Sequence, residues 1–102
     1  MKGYLSVSAT LVLQAIDHGY QYGFDIMDIS GLPGGTVYPA LRRLEDQGYV
    51  DWKWEKASIA QSENRPTRKY YELTKDGRKA LAEALKRYRL LARPLSPART
   101  NS

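Results

Sequence analysis

The most regular hydrophobic pattern in the chain lies between residues 34 and 50. Val37, Leu41 and Leu44 stand at i, i+4 and i+7, so one face of a helix is apolar and can pack on a core. Gly48 is typical of the left-handed residue that follows the last turn of a helix. The pattern therefore predicts an amphipathic helix that stops at Gly48 and leads into a different kind of segment.

The opposite face of this helix carries polar and small side chains that remain free for a partner. Because proline is tolerated only near a helix start, Pro39 indicates that the helix begins near Gly35 or Thr36, or bends there. A helix that is anchored on one face can enter a nucleic-acid groove with the other. An ordinary amphipathic helix whose outer face is simply exposed to solvent gives the same pattern. The outward face comprises Thr36, Tyr38, Pro39, Arg42 and, at its margin, Arg43.

Other helices are predicted on both sides of this one. Residues 5–18 are apolar nearly all round, which indicates a helix buried on more than one side, the second side often facing another subunit. Residues 22–29 form a short helix, and the turn 30–33 joins it to the amphipathic helix in a helix-turn-helix arrangement. A last helix is predicted over 74–93, with Thr74 as its N-cap.

Two strands are predicted after the helix-turn-helix. Residues 49–55 alternate apolar and polar, and residues 69–73 are a second, aromatic strand candidate. The polar segment 56–68 is expected to be a long loop, so that the strands form a β-hairpin, or wing. Trp52 and Trp54 share the apolar side of the first strand, and we expect them to pack in the core rather than to stack on a ligand.

Composition narrows the class of partner. The 102 residues suffice for one small domain, and a net charge of +5 favours nucleic acid or an anionic membrane, although a basic solvated surface is the plain alternative. The absence of cysteine excludes disulfides and thiolate metal sites and fits a reducing compartment. No stretch has the layout of a membrane span or a secretory signal, so we expect a cytoplasmic protein.

Three segments give the chain a recognisable signature. They are 22–26, which reads YGFDI, 35–45, which reads GTVYPALRRLE, and 65–77, which reads RPTRKYYELTKDG. In this order and spacing, over residues 5–92, the chain resembles the PadR family of bacterial transcriptional regulators. The resemblance implies a mainly α fold with a small β-hairpin: a winged helix-turn-helix with a long C-terminal dimerisation helix, as in the compact subfamily.

The resemblance also implies an organisation and an assembly. Residues 1–73 would form the DNA-binding domain, 74–93 the dimerisation helix and 94–102 a flexible tail. The dimer would repress transcription at a palindromic operator and would be released by a small, often aromatic, molecule. Because the first and last helices usually make the family's dimer, the expected interface residues are Leu5, Leu11, Val12, Leu81, Leu85, Tyr88 and Leu91.

DNA contacts are expected from the outward face of the amphipathic helix and from the wing. Arg42 is the best candidate for guanine or phosphate, because its fork of donors fits both, whereas Arg43 is equally suited to pair with Glu45. The glycine at position 34 leaves the helix without a side-chain cap, so we expect that helix end to be looser or to use its backbone N–H groups on a DNA phosphate. The candidates are Gly35, Thr36, Tyr38, Pro39, Arg42, Arg43, Lys56, Arg65, Arg68 and Lys69.

Two other classes of function are weighed against DNA binding. A winged-helix module that binds protein would carry an apolar outer face on the amphipathic helix, where this chain has Tyr38 and Arg42. An enzyme would need a nucleophile–base pair, a metal-ligand cluster or a phosphate loop, and the sequence offers none of them. His18, the single histidine, has no partner for a metal site. We therefore expect neither catalysis nor a cofactor.

Overall fold

A computed structural model describes residues 3–92 of the chain. It is mainly helical with one two-stranded antiparallel hairpin, as predicted. Within these residues, no helix is both long and apolar enough to span a bilayer. In chain order the elements are α1 (Val7–Asp17), α2 (Gly23–Ser30), α3 (Gly34–Asp46), β1 (Val50–Trp54), α4 (Ala57–Ser62), β2 (Lys69–Leu73), α5 (Lys75–Arg87) and α6 (Arg89–Ala92).

The core forms where α1 crosses the other helices. Ser6 caps α1 by accepting a hydrogen bond from the Ala9 N–H at 3.0 Å, which satisfies a donor that the first turn leaves unpaired. Val12 and Leu13 of α1 are fully buried and lie in one cluster with residues from α2, α3, β1, β2 and α5. Helix α5 therefore shares one core with the helix-turn-helix.

The amphipathic helix packs as its periodicity predicts. Val37, Leu41 and Leu44 each expose 1% or less of their surface, so the apolar face of α3 lies wholly on the core. Gly48 has a φ of 79°, a left-handed conformation that glycine adopts without strain, and it follows the helix as expected.

The start of α3 differs from the prediction. The helix begins at Gly34, with Pro33 as an N-cap that offers no side-chain hydrogen bond, so Pro39 occupies its sixth position. The expected start near Gly35 or Thr36 is wrong by one or two residues. Thr36 lies inside the first turn, where its N–H donates to the Pro33 carbonyl at 2.9 Å.

The hairpin pairs β1 with β2 in the register Val50 to Leu73 and Trp54 to Lys69. The expected loop between the strands is wrong in part, because the six-residue helix α4 lies there. Ala60 of α4 is buried, whereas the rest of that helix is exposed. A single buried position gives no apolar period, so the sequence pattern did not predict this helix.

The predicted long C-terminal helix is divided. Helix α5 ends at Arg87, and Tyr88 leaves the helical conformation with φ −100° and ψ 74° before the short helix α6. The Tyr88 hydroxyl donates to the Leu5 carbonyl at 2.6 Å, and the Gln14 amide donates to the Leu91 carbonyl at 2.9 Å. These bonds hold residues 88–91 against α1. The expected tail at 94–102 lies outside the described residues.

Candidate nucleic-acid interface

The outward face of α3 carries most of the residues expected to contact DNA. Tyr38 is 48% exposed, and Pro39, Arg42 and Arg43 are exposed beside it. Gly35 is exposed as well, with open space where a side chain would stand, whereas Thr36 is half-buried. Because the helix is anchored by its apolar face, these groups form a fixed polar surface.

Tyr38 lies against the start of α2. A Cβ at Gly23 would stand 2.5 Å from Cε1 of Tyr38 and 2.7 Å from its hydroxyl, so the absence of a side chain at Gly23 makes room for the ring. The two residues belong to separate sequence segments, and no periodicity relates them. The glycine within YGFDI was the only signal of this contact, and sequence reasoning did not use it.

A cleft of about 390 Å³ opens between α2, the outward face of α3 and the wing. We call it the α3–wing cleft. It brings together the predicted contacts Tyr38, Arg42, Arg68 and Lys69, and the single acidic group on its wall is Glu45. Within residues 3–92, none of the three cations is in an ion pair, so their charges are not neutralised by a carboxylate in contact with them.

Two of these cations are held by aromatic rings. The Arg68 guanidinium lies 5.0 Å from the centre of the Tyr22 ring, and the Lys69 ammonium lies 4.0 Å from the Trp52 ring. Such contacts orient a cation without neutralising it. Arg68 and Lys69, at the start of the second wing strand, therefore present positive charge next to α3.

Arg65 is placed differently from the prediction. Its guanidinium donates to both carboxylate oxygens of Glu55, at 2.7 and 2.8 Å, and to Glu63 at 2.9 Å. Its side chain is only 17% exposed. Most of its donors are thus used inside the wing tip, where this arginine joins the two ends, and Arg65 is a weaker candidate for a DNA contact than the sequence indicated. Lys56, the N-cap residue of α4, is exposed on the same tip.

The pairing shifts the titration of Glu55. Hydrogen bonds from the Arg65 side chain lower the pKa of Glu55 from 4.5 to about 2, against the effect of burial, and the Arg68 N–H adds a further bond at 3.2 Å. The same pair raises the pKa of Arg65. Both groups thus stay charged at every pH where the protein is expected to work.

We expect the wing tip to lose stability in acid. A carboxylate whose pKa is lower in the folded chain stabilises it fully above the unfolded value of 4.5, and this contribution disappears as the pH falls towards about 2. The free energy of unfolding of the wild type should therefore exceed that of Glu55→Gln near neutral pH and converge with it in acid. Urea denaturation across this pH range measures the difference.

Glu72→Gln is the matched control, since Glu72 forms an exposed pair with Lys53 at 3.7 Å. Exposed pairs contribute little to stability, so this variant should follow the wild type at all pH values. A gap between wild type and Glu55→Gln that does not depend on pH would contradict the assignment.

The two tryptophans are not in the core. Trp52 is 37% exposed and Trp54 60% exposed, with their rings in edge contact at 5.8 Å. Trp52 donates through its indole N–H to Glu45 of α3. The expected core packing is wrong. Alternation along a strand predicts which side chains share a face, but not whether that face is buried. Val50, at the start of β1, lies on the core, and the rest of the strand extends past the core.

The expected dimer residues fall into two groups. Leu5, Val12 and Leu81 are 9%, 0% and 5% exposed and pack in the core of the single chain, so they have almost no surface left for a partner. Internal packing is enough to explain their periodicity, so these three are weaker candidates for a dimer interface than the sequence indicated. The other predicted residues are half-buried: Leu11, Leu85, Tyr88 and Leu91.

Comparison with known proteins agrees with this geometry. The sequence model described as "Transcriptional regulator PadR-like family" matches residues 12–83. A search of curated proteins gives no match. Among solved structures, the smu.1704 protein of Streptococcus mutans is similar at 26% identity, with a TM-score of 0.70 over 90% of this chain and 87% of that one.

Other solved structures are also similar to this chain. A PadR family transcription regulator from Clostridium difficile shares 25% identity with a TM-score of 0.70, over 85% of this chain and 92% of its own. MarR of Escherichia coli, at 14% identity and a TM-score of 0.65 over 80% of this chain and 56% of its own, shares the fold alone. With most of its length matched by the family model, this chain belongs to the PadR-like family of transcriptional regulators.

Proposed function

We propose that this transcriptional regulator is a dimeric, sequence-specific DNA-binding repressor, neither an enzyme nor a protein-binding winged-helix module. The observation that carries the proposal is the surface formed by Tyr38 and Arg42 of α3 with Arg68 and Lys69 of the wing. Three unpaired cations beside an exposed helix face match the phosphate and base edges of a DNA groove.

The residues divide into those that choose a sequence and those that hold the backbone. Arg42 projects from the middle of α3, where its paired donors can reach the O6 and N7 acceptors of guanine. Arg43 and Lys56 are exposed cations suited to phosphate. The uncapped N–H groups at Gly34 and Gly35 offer a further phosphate site at the start of α3.

The dimer is proposed to form through the terminal elements. Leu90 is 79% exposed, Val7 is 46% exposed, and Leu11 and Leu91 are half-buried near them on α1 and α6. Val7, Leu11 and Gln14 stand at i, i+4 and i+7 on α1, and the Gln14 amide donates to the Leu91 carbonyl, so we expect these apolar groups to contribute to one surface. In this arrangement residues 1–73 act as the DNA-binding part and lend α1 to the dimer surface, and residues 74–93 supply the rest of the dimer contacts, with the helix broken at Tyr88.

Repression and release by a small aromatic effector complete the proposal, with the protein working in the cytoplasm. The DNA binding of BpsR from Bordetella bronchiseptica is regulated by 6-hydroxynicotinic acid. At 19% identity that protein shares only the fold with this chain, so it is an example of such control and says nothing about the ligand here.

Gel mobility shift against DNA upstream of the protein's own gene and its neighbours tests the proposal. We expect a specific complex whose footprint has twofold symmetry, with half-sites about 10 bp apart. Its affinity should fall steeply with salt, because several cations displace counterions from phosphates. The absence of any specific complex, or an affinity for DNA that does not change with salt, would favour a module that binds protein instead.

A further inference from the structure

The wing tip, residues 55–68, receives little support from the core of the chain. Its helix α4 has six residues, too few to be stable in isolation, and no side chain caps its start. Ala60, the one buried residue of that helix, lies outside the core cluster. Contacts within the wing must therefore hold the tip in its observed shape.

The ion pair of Glu55 and Arg65 provides that support. Glu55 directly follows β1 and is only 7% exposed, and its carboxylate accepts two hydrogen bonds from the Arg65 guanidinium, at 2.7 and 2.8 Å. Arg65 also donates through its backbone N–H to the Ala60 carbonyl at 3.1 Å and through its guanidinium to Glu63 at 2.9 Å. This arginine therefore ties α4 to the end of β1.

Glu55 also fixes the backbone of Arg68, at the other end of the wing tip. The Glu55 N–H donates to the Arg68 carbonyl at 2.7 Å, and the Glu55 carboxylate accepts from the Arg68 N–H at 3.2 Å. The Arg68 guanidinium lies 5.0 Å from the centre of the Tyr22 ring. Because contacts locate both its backbone and its charged group, Arg68 has little freedom left to lose when it binds a phosphate.

We infer that Glu55 and Arg65 are positioning residues for DNA binding. Their ion pair holds the wing tip so that two cations, Arg68 and Lys56, are already placed to bind phosphates. Lys56 directly follows Glu55 and is the N-cap residue of α4, so the same pair sets its place. The inference rests on the proposed function, in which these cations contact DNA. Binding then requires little ordering of the wing, which favours affinity.

Glu55→Gln tests the inference through the sign of its effect. The change removes a negative charge from the wing, so charge alone would strengthen binding to DNA. Loss of positioning predicts the reverse, and we expect the affinity for operator and random DNA to fall about tenfold, because phosphate contacts carry no sequence information. Mobility shifts measure both affinities. A Glu55→Gln protein that binds DNA at least as tightly as the wild type would overturn the inference.

Glu72→Gln is the matched control for charge. It removes the same negative charge from the same hairpin, but from the exposed pair with Lys53, at 3.7 Å. Since an exposed pair holds little in place, this variant should bind DNA as tightly as the wild type or up to about twofold more tightly. A loss as large as that of Glu55→Gln would show that the position of the carboxylate is irrelevant and would refute the positioning role.

A double-mutant cycle tests whether Glu55 acts through Arg68. Arg68→Gln removes the guanidinium but keeps the backbone groups that bond to Glu55. In that background Glu55→Gln should weaken binding by no more than about threefold, whereas beside Arg43→Gln, a change to an exposed arginine of α3, it should keep its full effect. Equal effects in both backgrounds would mean that Glu55 supports the fold in general and does not position Arg68.

Amide hydrogen exchange follows the wing tip without DNA. In Glu55→Gln the backbone amides of Arg65 and Arg68 should exchange at least about tenfold faster than in the wild type, while that of Leu41 in the core stays protected. Unchanged exchange at the tip would contradict the support by the ion pair. If Glu55→Gln does not fold, Glu55→Asp replaces it: the charge is kept, so charge alone predicts no change in affinity, whereas positioning predicts a loss.

The two proposals fail in different ways. A wild type that forms the operator complex, together with a Glu55→Gln variant that binds it at least as tightly, contradicts the positioning role alone. A wild type that forms no specific complex contradicts the proposed function, and the positioning role falls with it. The exchange data then still show whether the ion pair supports the wing tip.

Discussion

Replacing Gly77 by alanine is expected to destabilise the folded chain by about 3 kcal/mol, the largest effect that a single methyl group should have in this protein. A Cβ at position 77 would stand 1.9 Å from the carbonyl oxygen of Tyr49 and 2.9 Å from its carbonyl carbon. Both are backbone atoms, so no side-chain rotation relieves the clash. Either α5 or the start of β1 must move.

Hydrogen bonds on both sides resist that movement. The Thr74 N–H donates to the Tyr49 carbonyl at 3.0 Å, and the Thr74 hydroxyl donates to the Gly48 carbonyl at 2.7 Å. The same hydroxyl accepts from the Gly77 N–H at 2.9 Å and caps α5. Displacing α5 would therefore weaken its cap and its junction with the wing together, and Leu81 in the core would shift with it.

Thermal and urea unfolding followed by circular dichroism measure this effect. Gly35→Ala is the matched control, because nothing lies within 4 Å of a Cβ at that helical position. Alanine there should be neutral or stabilise by up to about 1 kcal/mol, since it favours the helix and restricts the unfolded chain. A Gly77→Ala protein as stable as the wild type would mean that α5 approaches Tyr49 less closely.

The elements that the sequence predicted well are those whose packing repeats along the chain. Val37, Leu41 and Leu44 define the buried face of α3 by spacing alone, and the free face follows from it. The Thr74 cap was also correct, because a cap depends only on residues three positions apart. Local patterns of this kind placed the helix-turn-helix and the wing in the right order.

The features that escaped prediction depend on contacts between distant residues. Arg65 has the sequence context of a free wing cation, and only its fold against Glu55 shows that it is paired. The break at Tyr88 accompanies a bond to Leu5, 83 residues away in the chain. The α3–wing cleft joins three elements, so its lining has no signature in any one segment.

Replacing Arg42 by alanine is expected to lower the affinity for the operator about 10- to 100-fold while the fold and the oligomeric state remain those of the wild type. A bidentate arginine–guanine contact discriminates by about 1 to 3 kcal/mol, or about 5- to 150-fold, and the expected loss lies within these limits. The side chain is exposed and in no ion pair within the described residues, so its removal leaves no buried group unsatisfied. The stability of the protein should therefore stay unchanged.

Two further variants identify the cause of the loss. Arg42→Lys keeps the positive charge but lacks the fork of donors, so it should lose nearly as much specific affinity as the alanine variant. Arg78→Ala removes one charge from the exposed surface of α5 and should weaken specific and random DNA equally and slightly. Mobility shifts with operator and random DNA give both affinities, and analytical ultracentrifugation gives the oligomeric state. Equal losses for operator and random DNA in Arg42→Ala would show that this arginine contacts phosphate and that the bases are read elsewhere on α3.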